Sequence, residues 1–262
     1  ESALPIYDAA LRTAEPLRDR TDLPHPIEIP LAQLHRNHAS SLRETGRDKD
    51  ALEAYERASL LYQKAISEAP SAPVWLLQQA ATLECWRASL LCGLDGEQAT
   101  TRAIDAFEAR CDALAALPDG ASAALRARAA AVEAFADAAT RLLPANRPGG
   151  DAALGMADIQ LKKVETAGLT AADDPTVSQL VEETRMLVRG SRLRAGLCSD
   201  DPASAWRVFE DCLDTDCLSK LPLEVRLHLA ASLLSANEQV PLGIVMNSIR
   251  DDLDETPRLL RR

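Results

Sequence analysis

One stretch of the sequence, residues 35–70, constrains the fold more than any other. It reads HRNHASSLRETGRDKDALEAYERASLLYQKAISEAP, and Gly46 divides it into two segments. Apolar residues recur every three or four positions in each segment, as they do on one face of an α-helix. Glycine is the residue most often found where a helix ends in a left-handed conformation. The stretch therefore predicts a helical hairpin, with a first helix over 31–45 and a second helix ending near Glu68.

Small and aromatic residues share one face of the second helix. Ala51, Tyr55 and Ala58 follow one another at spacings of four and three, so their side chains point the same way. The small residues allow the first helix to approach closely, and we expect Tyr55 to fill the gap between this hairpin and the next. Asp48 or Asp50 is expected to cap the start of the helix by accepting from its free backbone N–H groups.

A second, looser hairpin follows at a shift of 48 residues. A single hairpin cannot bury its whole apolar face, so repeated hairpins predict stacking into an elongated array. The match is partial: Leu94 falls on Gly46 and Ala103 falls on Tyr55. The matches are Ser41-Leu42 with Ser89-Leu90, Ala51 with Ala99, Ala58 with Ala106, Ala65-Ile66 with Ala113-Leu114, and Pro70 with Pro118.

Two proline-containing stretches interrupt the helical pattern. DLPHPIEIP, at 22–30, is expected to be a connector, because proline lacks a backbone donor and clashes with the preceding turn. LPANRPGGD, at 143–151, combines proline with glycine and predicts the clearest break in the chain. We therefore predict helical repeats over 1–143, a break or long loop over 144–152, and further helical hairpins over 153–262. Other helices are predicted over 1–18, 121–143, 151–167, 174–196, 202–215, 222–236 and 240–253.

The composition predicts an all-α protein. Hydrophobic residues make up 47% of the chain but aromatic residues only 3%, and the alanine and leucine that make up the difference favour helix. Alternating runs of β-branched residues, which indicate strands, are almost absent. The net charge of −11 argues against a nucleic-acid binder or a protein drawn to anionic membranes. No apolar run is long enough to span a bilayer.

The N-terminal residues and the cysteines both favour a cytoplasmic protein. The sequence starts ESALPIYDAALRTAEPL, which lacks the basic start and apolar core of a signal peptide. It also lacks an initiator methionine, so we expect it to be part of a longer protein. No pair of cysteines has Cys-x-x-Cys spacing, which favours buried reduced thiols, although spacing alone leaves disulfides open. The cysteines are Cys85, Cys92, Cys111, Cys198, Cys212 and Cys217.

Residues 31–70 resemble a tetratricopeptide repeat (TPR). The resemblance extends to residues 1–18, which are similar to the second helix of a preceding repeat, and in weaker form to 74–118 and 177–215. The second helix runs beyond the usual repeat, as in TPR arrays of bacterial multidomain signalling proteins. The chain departs from the family pattern at His35 and at His38. The positions that match are Ala39, Leu42, Gly46, Ala51, Tyr55 and Ala58.

This resemblance implies a right-handed α-solenoid, irregular in the middle, whose concave groove binds a peptide or partner helix. The first helix of each hairpin would line that groove, and a solvated helix face is the competing interpretation of its polar residues. A clamp for a C-terminal carboxylate is not expected, because the matching positions of the second repeat lack Asn, Lys and Arg. Those positions are Ala81, Glu84, Cys85, Ala88 and Leu91, and the groove candidates are Gln33, Arg36, Asn37, Ser40 and Arg43.

The sequence contains no pattern that indicates catalysis, a cofactor or a metal. It lacks the nucleophile elbow, the phosphate-binding loop and the glycine-rich dinucleotide turn. His35 and His38 have a spacing that metal ligands can use, but we expect both to be structural. Tryptophans at 75, 86 and 206 are expected to pack between helices, or to anchor a partner if exposed.

The leading hypothesis is therefore a cytoplasmic scaffold or adaptor that binds a protein or peptide, as the sensor or interaction region of a larger bacterial protein. One alternative is a regulatory domain that senses a small molecule or nucleotide within the superhelix. Another is a structural module that associates with copies of itself.

Overall fold

The described part of the chain is helical, as the composition predicts. The structure is a computed structural model that describes residues 3–17, 27–69, 71–94, 97–143, 145–169, 175–197, 210, 218–220, 226–227, 229–231 and 242–250. No β-strand occurs among these residues. Single 3-10 turns cover Glu15–Leu17 and Leu218–Lys220, and residues 242–250 are also helical. The α-helices are α1 Leu4–Ala14, α2 Glu28–Glu44, α3 Asp48–Glu68, α4 Val74–Leu91, α5 Glu97–Ala115, α6 Ala121–Leu142, α7 Arg147–Leu169 and α8 Pro175–Leu197.

Consecutive helices pack against one another. Contacts join α1 to α2, α2 to α3, α3 to α4, α4 to α5, and α7 to α8. The hairpin of α2 and α3 is antiparallel: Glu28 at the start of α2 pairs with Lys64 near the end of α3, and Ser40 near the end of α2 bonds to Tyr55. This arrangement is that of a solenoid-like all-α fold.

Helix α2 ends in a turn that contains Gly46, as predicted. Gly46 has φ of 75°, the left-handed conformation that favours glycine. The Arg47 N–H donates to the Leu42 carbonyl at 2.9 Å and the Gly46 N–H donates to the Arg43 carbonyl at 2.9 Å. These two bonds form a Schellman motif, which satisfies carbonyls at the end of a helix.

The predicted cap of α3 is wrong. The N-cap residue is Arg47, whose side chain makes no capping hydrogen bond, so Asp48 and Asp50 lie inside the first turn. Arg47 instead forms an ion pair with Asp50 at 2.6 Å. The two carboxylates still stabilise the helix start, because negative charge complements the positive end of the helix dipole.

The Pro-rich connector is shorter than predicted. Helix α2 begins at Glu28, and Pro30 lies in its first turn, where the missing N–H has no intrahelical partner to lose. The predicted start at residue 31 is therefore three residues late. Of the expected connector over 22–30, residues 22–26 lie outside the described residues.

The predicted break over 144–152 is also too long. Helix α7 begins at Arg147, so 147–152 belong to a helix and Pro148 occupies its first turn. The Asn146 side chain accepts a hydrogen bond from the Gly149 N–H at 3.2 Å, which is the contact of an N-cap residue. Proline near the start of a helix, preceded by a capping asparagine, begins a helix instead of opposing it.

Aromatic residues between small ones occupy the core of the first hairpin. Tyr55 and Tyr62 of α3 are completely buried, as are Ala51 and Ala58 on the same face. The Tyr62 hydroxyl has no hydrogen-bond partner among the residues that the structure describes. The same pattern returns in α6, where Ala131, Phe135 and Ala138 are buried.

Burial places the repeat in a different register from the sequence match. At the shift of 48, Ala51 falls on Ala99, which is exposed, and Tyr55 falls on Ala103. The buried aromatic residue of α5 is Phe107, four residues further on. Alanine is so frequent in this chain that identities arise at several shifts, and only burial separates them.

The chain divides into two compact units, Glu1–Phe135 and Ala136–Arg262. In the second unit α7 and α8 form an antiparallel pair with two ion pairs between them. Arg185 of α8 bonds to Glu165 at 2.9 Å, and Arg192 bonds to Asp158 at 2.8 Å. The predicted helix over 202–215 lies outside the described residues apart from 210, and only part of 222–236 is described.

Three cysteines are described, and none of the three forms a disulfide. Cys85 and Cys111 are buried and Cys92 is half-buried. Burial raises the pKa of Cys92 to about 11, so the thiol is protonated and unreactive at neutral pH. These three agree with the prediction of reduced buried thiols, and the other three cysteines lie outside the described residues.

Candidate functional site

The first helices of the two hairpins, α2 and α4, lie side by side. Arg36 of α2 donates a hydrogen bond to the Gln79 side chain of α4. Seven residues further along both helices, Arg43 lies over the Trp86 ring with its guanidinium carbon 4.0 Å from the ring centroid. Seven residues are about two helical turns. A constant register over two turns requires that α2 and α4 run parallel, which places both on one surface of the first unit.

The five groove candidates divide into two groups. Gln33 and Asn37, one turn apart on α2, are exposed. The other three are half-buried and already make contacts with neighbouring helices. Arg36 and Arg43 contact α4, and Ser40 shares a hydrogen bond with the Tyr55 hydroxyl at 3.2 Å. The two arginines therefore join the hairpins as well as facing the surface.

The corresponding positions predicted on α4 do not lie on this surface. Ala81, Glu84, Cys85, Ala88 and Leu91 are all buried, because the shift of 48 residues does not describe how α4 packs. Two residues of α4 whose side chains contact α2 are Gln79 and Trp86. The sequence contains one signal for them, since their spacing of seven equals that of Arg36 and Arg43.

The repeat-packing residues form the support beneath this surface. Tyr55 lies behind Ser40, and burial raises the pKa of its hydroxyl, so the group stays neutral. Gly46 forms the turn, and its position is exposed. The remaining repeat-packing residues, Ala39, Leu42, Ala51 and Ala58, are buried with Tyr55 in the core.

The buried carboxylate of Glu84, on α4, joins helices α3, α4 and α5. Glu84 is 1% exposed and accepts a hydrogen bond from Ser59 of α3 at 2.6 Å. It also pairs with Arg87 of α4 at 2.8 Å and with Arg110 of α5 at 3.9 Å. A buried charge needs such partners to offset its lost hydration, so this cluster is a structural connection.

The predicted packing role is confirmed for Trp86, and the anchoring role predicted for an exposed tryptophan stays a prediction. Trp86 is partly buried and packs against the core of the first unit. Trp75, at the start of α4, is 49% exposed. Trp206 lies outside the described residues.

The two histidines of α2 bond to carboxylates of the preceding segment. His35 is 2% exposed and its Nε2 donates to Glu15 Oε1 at 2.7 Å. His38 lies 3.1 Å from an oxygen of Asp8, and its ring is tilted against that of Tyr7. Burial lowers the pKa of His35, and the hydrogen bond to Glu15 offsets part of that effect. Within the described residues no group of three His, Cys, Asp or Glu side chains is arranged to hold a metal ion.

An open cleft of about 590 Å³ lies next to His35. Its walls come from the 3-10 turn after α1, from α2 and from α3. Arg57 and Leu60 are exposed, and Leu61 is buried. The lining residues are Glu15, His35, Arg57, Leu60, Leu61 and Lys64. Nothing in the sequence pattern predicts this cleft, because its two sides come together only when the segment before α2 packs against α2, next to α3.

No helix within the described residues is long and apolar enough to cross a membrane.

Comparisons with protein-family models, with curated proteins and with solved structures find no match to this chain. The resemblance to TPR proteins therefore stays a prediction.

Proposed function

We propose that this chain is a scaffold that binds an extended peptide segment of a partner protein on the surface formed by α2 and α4. The observation that supports the proposal best is the parallel register of these helices, made by the Arg36–Gln79 and Arg43–Trp86 contacts. Parallel helices from successive hairpins form a continuous strip of side chains. Such a strip can follow a peptide over several residues, whereas an isolated helix presents a single short row.

The chemistry of the strip suits an extended backbone. The side-chain amides of Gln33 and Asn37 are exposed, and each offers both donors and an acceptor, as a peptide backbone requires. Arg36 and Arg43 add positive charge to a chain whose net charge is −11. Their guanidinium groups favour a segment with carboxylate side chains.

The TPR resemblance and the composition suggest where this scaffold works. The long second helix is similar to TPR arrays of bacterial multidomain signalling proteins, so we assign the chain to the sensor or adaptor region of such a protein. The thiols of Cys85 and Cys92, which form no disulfide, support a cytoplasmic location, since reduced cysteines are typical of that compartment. In this proposal any enzymatic activity belongs to other parts of the parent protein.

A selected peptide tests the proposal. Peptides from a random display library are selected on the wild-type chain, and their affinity is measured by fluorescence anisotropy. The double variant Gln33→Ala/Asn37→Ala should weaken binding about tenfold or more. Each variant side chain loses its amide hydrogen bonds to the peptide, and a single hydrogen bond contributes on the order of 0.5–1.5 kcal/mol. Both residues are exposed, so the substitutions should leave stability nearly unchanged.

A matched control uses exposed residues of another helix. Gln98→Ala/Arg102→Ala removes polar side chains from α5 and should leave peptide affinity unchanged. The proposal fails if no selected peptide binds saturably, or if the α2 and α5 variants weaken binding equally. A chain that instead associates with itself as concentration rises in light scattering would favour the structural alternative.

A further inference from the structure

The cleft beside His35 combines an apolar wall with positive charge. Arg57, Leu60 and Lys64 lie at spacings of three and four on α3, so they share one face of that helix. Leu60 lies between the two cations in the sequence, and its side chain is 66% exposed. Leu61, beside it, is 8% exposed and closes the apolar wall. The cleft therefore presents apolar surface with a cation on either side.

Two other charged groups of the cleft, Glu15 and Lys64, already have partners. The Glu15 carboxylate accepts the hydrogen bond from His35 at 2.7 Å, and Lys64 pairs with Glu28 at 2.7 Å. Arg57 differs from these, because it forms no ion pair with any residue that the structure describes. Its charge is close enough to His35 to lower the pKa of the imidazole. Among the described residues that line the cleft, Arg57 is therefore the cation without an ion pair to another described residue.

The size and shape of the cleft suit a small ligand. Its volume of about 590 Å³ lies in the range of about 300–1,000 Å³ typical of small-molecule sites. An arginine presents a planar fork of N–H donors that matches the two oxygens of a carboxylate or a phosphate. An apolar group attached to that anion would lie against Leu60 and Leu61.

We propose that this cleft binds a small organic anion, with Arg57 contacting its carboxylate or phosphate group and Leu60 contacting its apolar body. Buried His35 lies at the floor of the cleft, and the partly exposed Glu15 carboxylate accepts its hydrogen bond on the wall across from Arg57. The site shares no residue with the proposed peptide surface of α2 and α4, so either proposal can fail while the other holds.

Three probes with the same apolar ring test the proposal. Benzoate carries a carboxylate, phenyl phosphate carries a phosphate, and benzyl alcohol carries no charge. Each is titrated into the full chain while the ring C–H signal of His35 is followed by NMR, assigned by its loss in His35→Gln. We expect a saturable shift with at least one anion. Benzyl alcohol should bind more weakly than that anion by about tenfold or more. The stronger of the two anions identifies the group that Arg57 prefers.

Variants of the cleft separate specific binding from general attraction to the surface. Arg57→Gln should weaken the better anion about tenfold or more, the loss expected for a charge-assisted contact. Leu60→Ser should weaken both anions, because it removes the apolar wall. Arg102→Gln removes an exposed arginine of α5 and should change nothing. Circular dichroism of each variant shows whether its helices are intact.

Several results would overturn the proposal. They are the absence of saturation with both anions, equal affinity for all three probes, and unchanged anion affinity in a folded Arg57→Gln variant. A shift of the other histidine signals with none at His35 would place the binding elsewhere and would also overturn it.

Discussion

The polar contacts of His35 and His38 connect α1 to the rest of the first unit. Helix α1 has no buried residue, and its apolar side chains Leu4 and Leu11 are only partly buried against the core. The two histidine–carboxylate contacts therefore carry an unusual share of this interface. The sequence predicted structural histidines but could not identify their partners, since Asp8 and Glu15 come from a separate segment.

Protonation of His35 should weaken the folded state. In the folded chain, burial lowers the pKa of His35 below its usual value. In the unfolded chain, the pKa of a histidine is about 6.5. The unfolded state then binds a proton that the folded state does not, so stability is lost as pH falls below about 6.5. We expect the melting temperature of the wild-type chain to fall more between about pH 7.5 and 5.5 than that of His35→Gln. Equal falls in the two proteins would show that His35 does not carry this dependence.

Three glycines should respond differently to alanine, according to their surroundings. Gly46 has a positive φ and open space around its α-carbon, so Gly46→Ala should cost about 1–2 kcal/mol of backbone strain. An added methyl at Gly120 would clash with the Leu114 carbonyl oxygen, and we expect a larger loss there. Gly155 lies inside α7 with no atom near the position of a new methyl group, so Gly155→Ala should gain about 0.5–1 kcal/mol.

Urea denaturation followed by circular dichroism measures all three changes in the free energy of unfolding. The order of the three variants is the test: Gly155→Ala most stable, then Gly46→Ala, then Gly120→Ala. A Gly120→Ala protein as stable as the wild type would mean that α5 and α6 meet in another way.

At the scale of helices, the contact of α2 with α4 is the feature on which the proposed function depends most. Its Arg43–Trp86 contact can be measured with a double-mutant cycle of Arg43→Ala and Trp86→Ala. A cation over an indole contributes about 0.5–1 kcal/mol at an exposed site, so we expect coupling of that size in urea denaturation.

The second tryptophan of α4 provides the control for this cycle. Trp75 lies eleven residues before Trp86, which is about 17 Å along the helix, and substitutions so far apart should add independently. Coupling of Arg43 to Trp75 as strong as to Trp86, or no coupling to either, would contradict the register between α2 and α4.

The helices themselves were largely predictable from the sequence, whereas their starts were not. Apolar spacing and Gly46 predicted α2 and α3 with ends close to those observed. Pro30 and Pro148 misled the prediction, because proline ends a helix when it follows one but is tolerated in the first turn. A single sequence does not show on which side of the proline the helix lies.

The register between hairpins was also beyond sequence matching. Local spacing showed that Tyr55 faces a core, but the partner of each face depends on contacts between segments far apart in the chain. Frequent alanine makes many shifts match equally well. The five positions expected on the surface of α4 are buried for this reason, and Gln79 and Trp86 take their place against α2.

At the scale of the whole molecule, stacking of hairpins explains why so few aromatic residues suffice. Helices α2, α3 and α4 bury mainly alanine and leucine against their neighbours in the chain. Small side chains let helices approach closely, and a few buried aromatic residues, such as Tyr55, Tyr62 and Phe107, fill the larger gaps. An array built in this way leaves extended surfaces available, which is the physical basis for proposing a binding role.

The most direct test of the account is to map where a selected peptide binds. Backbone amide signals of the wild-type chain are recorded by NMR with and without the peptide used in the anisotropy measurements. The account predicts that the largest changes lie along α2 and α4, around Asn37 and Gln79, and that they disappear in the Gln33→Ala/Asn37→Ala variant. Changes concentrated on other helices, with α2 and α4 unaffected, would contradict it.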